Sequence, residues 1–475
     1  MKEYKPLYMQ DIKITKPIMI ILMLLIGLIV GLAVTYSPHS YILYAAAGLT
    51  IWAVIVLRKI KLMEIIILGL PVMFNISIGI KLNISIADFV LPVILFSIIV
   101  RGDYGAIRKI FLDYKGMVVY PFLLMLIVSV SLLQTFAYTE VDMPYGLSNI
   151  LKLGVNFFYV LMFLYYFQVE GNLFKFLKYW SAASIFFSLI SLAGVVLYYL
   201  GYDLGLSYAF RATGTFEDPN LAAAYCIISI GFCLIYNRMY KQKTIGLNVI
   251  LLFIILVLTA SRGAAVGFLV GCLGAALMFY SLKNMKNLLR LIFYVAAGAL
   301  LFVSALKLGL FELDIVQNSL NRISSVESSD EGTQLRMLLW KTAFQMWAEN
   351  PIFGVGTGQY INHTSNILGY TLDNIPHNTY LAFLAETGSA GFLILVSLPC
   401  YIVFKILSLS KSYKNLKAYL IFTMIAIGTQ AFTINLENFR VLWVYLAFCV
   451  VFVKALERHS PLATARHNTS EKQSL

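Results

Sequence analysis

Long apolar runs separated by short polar connections make up most of the chain. Fourteen stretches carry enough apolar residues in succession to be read as membrane spans: 17–36, 40–57, 62–80, 86–100, 116–134, 150–168, 179–200, 220–236, 245–260, 263–280, 289–307, 378–404, 418–434 and 439–454. A helix needs about 20 apolar residues to cross the hydrocarbon core of a bilayer. The pattern therefore predicts an all-α polytopic membrane protein with about 14 transmembrane helices. The run at 86–100 is short and contains Pro92, and only Ser261-Arg262 separates 245–260 from 263–280. One polar stretch breaks the rhythm, the 69-residue insertion 308–376. Its first half is acidic. In its second half Leu335, Leu338, Leu339, Met346 and Trp347 recur at helical spacing, which predicts an amphipathic helix over 333–350. Asn350-Pro351 ends that helix, and a turn follows with Gly354, Gly356 and Gly358. The chain thus divides into eleven spans over 1–307, one large extracytoplasmic loop at 308–376, three spans over 377–458 and a polar cytoplasmic tail, 459–475.

Composition agrees with this reading and narrows it. Of the 475 residues, 60% are hydrophobic and 12% charged, where soluble domains carry roughly 25% charged residues. A soluble enzyme, a disordered chain and a nucleic-acid binder are excluded. The net charge of +13 is informative through its distribution. With the N-terminus in the cytoplasm, 27 of the 36 basic residues fall on the inner side; the other nine are Lys81, Lys152, Arg211, Arg262, Lys307, Arg322, Arg336, Lys341 and Arg440. Basic residues accumulate on the cytoplasmic side of membrane proteins. Both termini are therefore expected in the cytoplasm, with the basic inner surface facing anionic lipid. Residues 1–16 are polar and basic, but the apolar run after them is long enough to span, so no cleaved signal peptide is expected. Cys226, Cys233, Cys272, Cys400 and Cys449 all lie in apolar runs, without the spacing of a metal site or a disulfide framework, and read as small core residues.

Basic residues on the outer side need a reason to be there. Arg211, Arg262 and Arg336 are each placed at an outer loop or span end. Three guanidinium groups around one vestibule could hold a pyrophosphate, because the planar fork matches phosphate oxygens. The competing account is pairing with a nearby carboxylate (Glu217 and Asp218 for Arg211) or snorkelling to headgroups. His377 follows Pro376 at the outer mouth of the span 378–404, where an imidazole can take a proton from a hydroxyl at neutral pH; it can equally be a helix-entry residue bonded to backbone. His363, in the same loop, competes for the same role. Gly267, Gly271 and Gly274, and likewise Gly388 and Gly391, stand at helical spacing and read most simply as close helix packing. Asp88 is either an acidic group at membrane depth or part of a helix start, and Asn220 reads as a helix-start residue. No phosphate-binding loop, zinc-protease or nucleophile-elbow motif is present. An enzyme here would work with Arg and His, without a metal or cofactor.

At these residues the chain resembles the O-antigen ligase/polymerase superfamily. His377-Asn378, nine residues, then Gly388-Ser389-Ala390-Gly391 resembles its His-Asn-x9-Gly-x-x-Gly signature. The preceding loop holds Arg-x3-Trp (Arg336 to Trp340), NPIFGVGTGQY and PHNTYLAFLAETG, while RATGTFEDPN and LTASRGA resemble the family's other two arginine-bearing blocks. These blocks run from about 210 to 391; the N-terminal half matches only as a hydrophobic pattern. The family's ligase version often has Leu where this chain has Trp340, which leaves ligase and polymerase both open. The resemblance implies a GT-C-like membrane glycosyltransferase, metal-independent, acting on the extracytoplasmic face with an undecaprenyl-pyrophosphate-linked oligosaccharide as donor. It implies that Arg211, Arg262 and Arg336 hold the donor pyrophosphate and that His377 is general base on, or positions, the acceptor hydroxyl. The expected function is polymerisation of a surface polysaccharide with inversion at the anomeric carbon, with a glycan acceptor, membrane lipid and a chain-length regulator as partners. A ligase moving finished glycan to a lipid or protein is the alternative within the class, and a lipid-linked glycan transporter the alternative outside it.

Overall fold

The structure is a computed structural model. It describes residues 62–77, 81–102, 104–137, 142–169, 171–216, 218–242, 244–279, 318 and 331–458. The expected spans 17–36, 40–57 and 289–307 and the polar tail lie outside these residues. In chain order the elements are α1 (Leu62–Gly69), β1 (Met73–Ser77), β2 (Lys81–Ser85), α2 (Ile86–Arg101), α3 (Tyr104–Asp113), α4 (Lys115–Gln134), α5 (Met143–Tyr166), α6 (Asn172–Tyr199), β3 (Ser207–Tyr208), β4 (Arg211–Ala212), α7 (Pro219–Tyr240), α8 (Ile245–Leu258), α9 (Arg262–Phe279), α10 (Glu331–Glu349), α11 (Tyr360–Leu368), α12 (Thr379–Ser408), α13 (Lys414–Gln430) and α14 (Arg440–Arg458). Five of them, α4, α5, α6, α7 and α12, are long and apolar enough to cross a membrane; α8 and most of α9 are apolar but shorter. The long helices also expose apolar side chains, among them Leu126, Leu133, Phe158, Leu189, Leu393 and Phe404. That surface suits a lipid solvent, in which helices satisfy their backbone internally.

The expected span at 62–80 is not one helix. α1 stops at Gly69, just before Pro71, and β1 and β2 pair antiparallel with Asn75 opposite Asn83. The cause lies in the sequence Asn-Ile-Ser-Ile-Gly-Ile-Lys-Leu-Asn-Ile-Ser: apolar and other residues alternate strictly, a strand period that summed hydropathy does not see. Ser85 then caps α2. Its Oγ accepts from the Ala87 backbone N–H at 3.2 Å, while its own N–H donates to Asp88 Oδ2 at 2.8 Å. Asp88 is thus the far half of a capping box.

Contacts divide the chain into two compact units, residues 1–115, 161–236 and 243–260 in one, residues 116–160, 237–242 and 261–475 in the other. In the first, α1 packs on α2 and α6, and α8 packs on α6. Its interior holds a ring cluster of Phe176, Trp180, Tyr225 and Phe232. Several buried polar groups there pair with each other: Trp180 Nε1 donates to Ser229 Oγ, and Asn248 Nδ2 donates to the hydroxyls of Ser181 and Ser184. Asp218 Oδ1 accepts from the backbone N–H of Asn220 and from its side-chain Nδ2 at the start of α7, which is the helix-start role expected of Asn220.

In the second unit α9 lies along α13, and α12 packs on α10, α13 and α14. The α9–α13 contact explains the small-residue run. A methyl group at Gly263, Gly267, Gly271 or Gly274 would run into Thr433, Ala426, Phe422 or Ile425 respectively, twice against backbone carbonyl oxygens. Small residues let the two backbones approach, the close packing expected of Gly267, Gly271 and Gly274. Cys226, Cys233 and Cys449 are buried as expected, Cys272 is half-buried, and Cys400 is exposed on α12.

Candidate functional site

The site is built on a break in α12. At Gly388 the backbone turns to φ 65° and ψ −168°, a region essentially closed to residues with a Cβ. The helical ladder stops there, which frees two carbonyls before the kink and two N–H groups after it. The loop 350–359 takes all four. Val355 N donates to Ala385 O at 2.9 Å and Gly356 N to Glu386 O at 3.1 Å; Ser389 N donates to Pro351 O at 2.8 Å and Ala390 N to Ile352 O at 3.2 Å. Splicing a loop into a helix this way gives each of these four backbone groups a partner. Two backbones so close leave no room for side chains. A methyl at Gly388 would overlap the Ile352 carbonyl, and one at Gly354 the carbonyls of Ala385 and Glu386. The signature glycine and the glycine-rich turn are therefore two halves of one joint.

α10 straps this joint. Leu339, Ala343 and Met346 form a buried cluster with Val355, Tyr360 and Ala385, and Tyr360 Oη donates to Leu339 O at 2.7 Å. Trp347 Nε1 donates to Ser389 Oγ at 3.0 Å, and Trp340 Nε1 donates to Pro376 O at 2.9 Å. The expected helix over 333–350 is thus present as Glu331–Glu349. Its two tryptophans, seven residues apart on one face, tie both ends of the first segment of α12. Trp340→Phe is expected to keep the packing and lose about 1 kcal/mol of stability through the missing bond, read as a lower melting temperature in detergent; an unchanged melting temperature would show that the tie contributes nothing.

His377 lies between two anchors. Trp340 holds Pro376 on one side. On the other, Asn378 N donates to Asn435 Oδ1 at 3.1 Å, and Asn378 Oδ1 caps α12 by accepting from Tyr380 N and Leu381 N. Thr379 Oγ1 donates to Ile434 O at 2.7 Å and accepts from Leu436 N at 2.9 Å, while Thr379 N reaches the carbonyls of Ala431 and Ile434. The segment 377–379 is thus bolted to the connection between α13 and α14. Held on both sides, His377 adopts the left-handed conformation, φ 48°, which histidine enters more readily than most residues. Arg336 stands one turn before Trp340 on α10 and is half-buried. Arg262 opens α9, next to Gly263, which abuts Thr433 of the same connection. Three of the four expected site residues therefore lie in the second unit, on elements tied directly or through one neighbour to residues 376–379 or 431–437.

Arg211 is in the first unit. It sits on β4, 8% exposed, and Arg211 Nε donates to Thr259 O at 2.8 Å at the end of α8. His363 is buried in α11, with Nε2 at 3.4 Å from Glu349 Oε2 and Nδ1 at 3.1 Å from Asn366 Nδ2. Both ring nitrogens are engaged locally, which gives His363 a structural role.

Two carboxylates escaped the sequence reading. Glu386, two residues before the kink, accepts from Tyr360 N at the start of α11, 3.4 Å away. Glu437, just before α14, accepts from Asn435 Nδ2 at 3.3 Å through Oε1, while its Oε2 is buried without a hydrogen bond. Burial raises the pKa of Glu437 above the ordinary carboxylate range, with the Lys152 charge acting against the rise. Lys152 and Arg440 sit near this carboxylate and near each other; both were among the nine basic residues placed on the outer side. Gln359 joins the glycine turn to the start of α5: its Oε1 accepts from Asp142 N at 2.9 Å and its Nε2 donates to Asp142 O at 3.0 Å.

No curated protein matches the chain. Residues 247–396, which carry Arg262, Arg336, Trp340, His377 and both signature glycines, match the family model described as O-antigen ligase, and this supports the O-antigen ligase/polymerase superfamily as the family of this region.

Proposed function

We propose that the chain is a membrane glycosyltransferase that polymerises a surface polysaccharide, transferring glycan from an undecaprenyl-pyrophosphate donor to the hydroxyl of an acceptor repeat unit at the His377 end of the second unit. The observation that carries this is the clamp on His377: a left-handed histidine fixed between Trp340–Pro376 and Asn378–Asn435. Arg336 is one turn from the first anchor, and Arg262 opens the helix that abuts the loop of the second. Backbone held in a sparsely populated region by its surroundings is characteristic of functional sites.

The chemistry follows from the residue types. The bond from the acceptor oxygen to the anomeric carbon forms as the bond from that carbon to the phosphate oxygen breaks. His377 takes the hydroxyl proton. Arg262 and Arg336 stabilise the charge growing on the departing undecaprenyl pyrophosphate, where guanidinium groups are most effective in a water-poor setting. Attack from the face opposite the leaving group inverts the anomeric centre. The reaction needs no metal and takes place on the extracytoplasmic face. The superfamily resemblance assigns Arg211, which lies in the first unit, to the same pyrophosphate.

The test is transfer by purified protein in nanodiscs, with lipid-linked oligosaccharide and EDTA. A product ladder is expected. A single product formed only with a foreign lipid or protein acceptor would make the chain a ligase. Movement of the lipid across the bilayer without any product would replace the enzyme by a transporter. Arg336→Ala is expected to slow transfer by about 10²–10³-fold; full rate in a folded Arg336→Ala protein would remove Arg336 from leaving-group stabilisation.

A further inference from the structure

We propose that Asn435, in the connection between α13 and α14, is the positioning residue for His377, with Glu437 setting the orientation of its amide. This rests on the reading of His377 as the base, but names residues outside the segment 247–396 that matches the family.

The observation is a directed chain of hydrogen bonds. Glu437 Oε1 accepts from Asn435 Nδ2 at 3.3 Å, and Asn435 Oδ1 accepts from Asn378 N at 3.1 Å. An amide has two chemically different ends. A carboxylate beside one end accepts only, so it draws the NH2 group toward itself and leaves the carbonyl oxygen for the Asn378 N–H. Reversing the amide would set a donor against a donor at Asn378 and an acceptor against an acceptor at Glu437. Glu437 is itself fixed at its backbone carbonyl, which accepts from Trp443 Nε1 at 2.8 Å and Asn156 Nδ2 at 3.4 Å. The direction of the whole chain is thus set from α5 and α14.

The consequence falls on His377, the residue immediately before Asn378. Its left-handed backbone depends on the peptide on its C-terminal side being held, and the bond from Asn378 N is the side-chain anchor for that peptide. Without it His377 can relax toward the commoner right-handed or extended regions. The imidazole then moves by a distance comparable to the reach of a hydrogen bond, and misplacement by about 1 Å can cost about 10²-fold in rate. Asn435 touches neither reacting atom in this account; it acts through the backbone.

The experiment compares Asn435→Ala, which removes both bonds, with Asn435→Asp, which keeps an acceptor for Asn378 N and whose carboxyl can share one proton with that of Glu437, so that acceptor does not stand against acceptor. In the transfer assay Asn435→Ala is expected to lower kcat by about 10- to 100-fold with little change in KM, and Asn435→Asp to recover most of the loss. In a His377→Asn background Asn435→Ala is expected to cost nothing more, because a residue that acts through His377 has nothing left to position. An equal loss in both backgrounds would make Asn435 merely structural and overturn the proposal, as would wild-type kcat in Asn435→Ala. A second readout does not need transfer: the ring resonances of His377 in histidine-labelled protein, assigned by their loss in His377→Asn. They are expected to move in Asn435→Ala and to stay near their wild-type positions in Asn435→Asp; unmoved resonances in Asn435→Ala would overturn the positioning role. If wild-type protein transfers no glycan, the functional reading fails and these resonances alone decide the positioning. If Asn435→Ala does not fold, Glu437→Ala, which frees the amide to turn over, carries both readouts with the same expectations.

Discussion

Gly388→Ala is expected to leave little folded protein. At φ 65° and ψ −168° the substitution meets a backbone penalty of about 1–3 kcal/mol for a residue with a Cβ. The added methyl then overlaps the Ile352 carbonyl and the Phe353 amide. Neither can give way like a flexible side chain, because the neighbouring bonds to Ser389 and Ala390 hold this backbone in place. Forcing atoms into a packed interior adds about 1–3 kcal/mol more. The total is a large fraction of the 5–15 kcal/mol by which domains are ordinarily stable. Gly116→Ala is the matched control in the same unit: it lies in α4 with nothing within 4 Å of the added methyl, so it should be neutral or stabilising by up to about 1 kcal/mol. Yield and melting temperature in detergent measure both. A Gly388→Ala protein as stable as the Gly116→Ala protein would mean that the joint between α12 and the loop 350–359 does not hold the unit together.

This joint also marks how far the sequence alone could be read. Helix positions were legible because apolar length and 3.6-residue periodicity are local properties. Residues 116–134 and 333–350 lie within or nearly match α4 and α10. The span at 62–80 was misread because hydropathy was counted and the alternation over 75–85 was not. The short α11 was missed inside a polar loop: its stability comes from Tyr360 and Ile361 packing against the α10 cluster, a contact no window of sequence contains.

Among candidate residues, Arg262, Arg336 and His377 were marked by being scarce types at span ends, and the structure sets them in one unit. Arg211 shared that signal and lies in the other unit. Gly388 was read as helix packing, yet its role is the kink, because the partner that crowds it comes from 36 residues upstream, at Ile352. Glu386 could have been found. It is an acidic residue within the apolar run 378–404, the same signal that singled out Asp88. Glu437 and Asn435 carried no such mark, since two polar residues in a short connection are ordinary. Only the bonds from Asn378 to Asn435 and on to Glu437 give them a role.

Removing the His377 imidazole should have the largest effect on transfer, and the choice of replacement separates chemistry from conformation. His377→Asn and His377→Ala both lose the base, and each is expected to slow transfer by about 10²–10⁴-fold. They differ in the backbone. Asparagine tolerates the left-handed region that this position occupies at φ 48°, whereas alanine meets a penalty there of about 1–2 kcal/mol. His377→Asn should therefore melt near the wild-type temperature while transferring almost no glycan, and His377→Ala should melt lower with a similar loss. Equal melting temperatures would show that the anchors at Pro376 and Asn378 do not hold His377 in the left-handed form. A folded His377→Asn protein that transfers at the wild-type rate would end the case for His377 as the base. The proton acceptor would then have to be sought in Glu437, the one carboxylate in that connection, whose pKa burial raises.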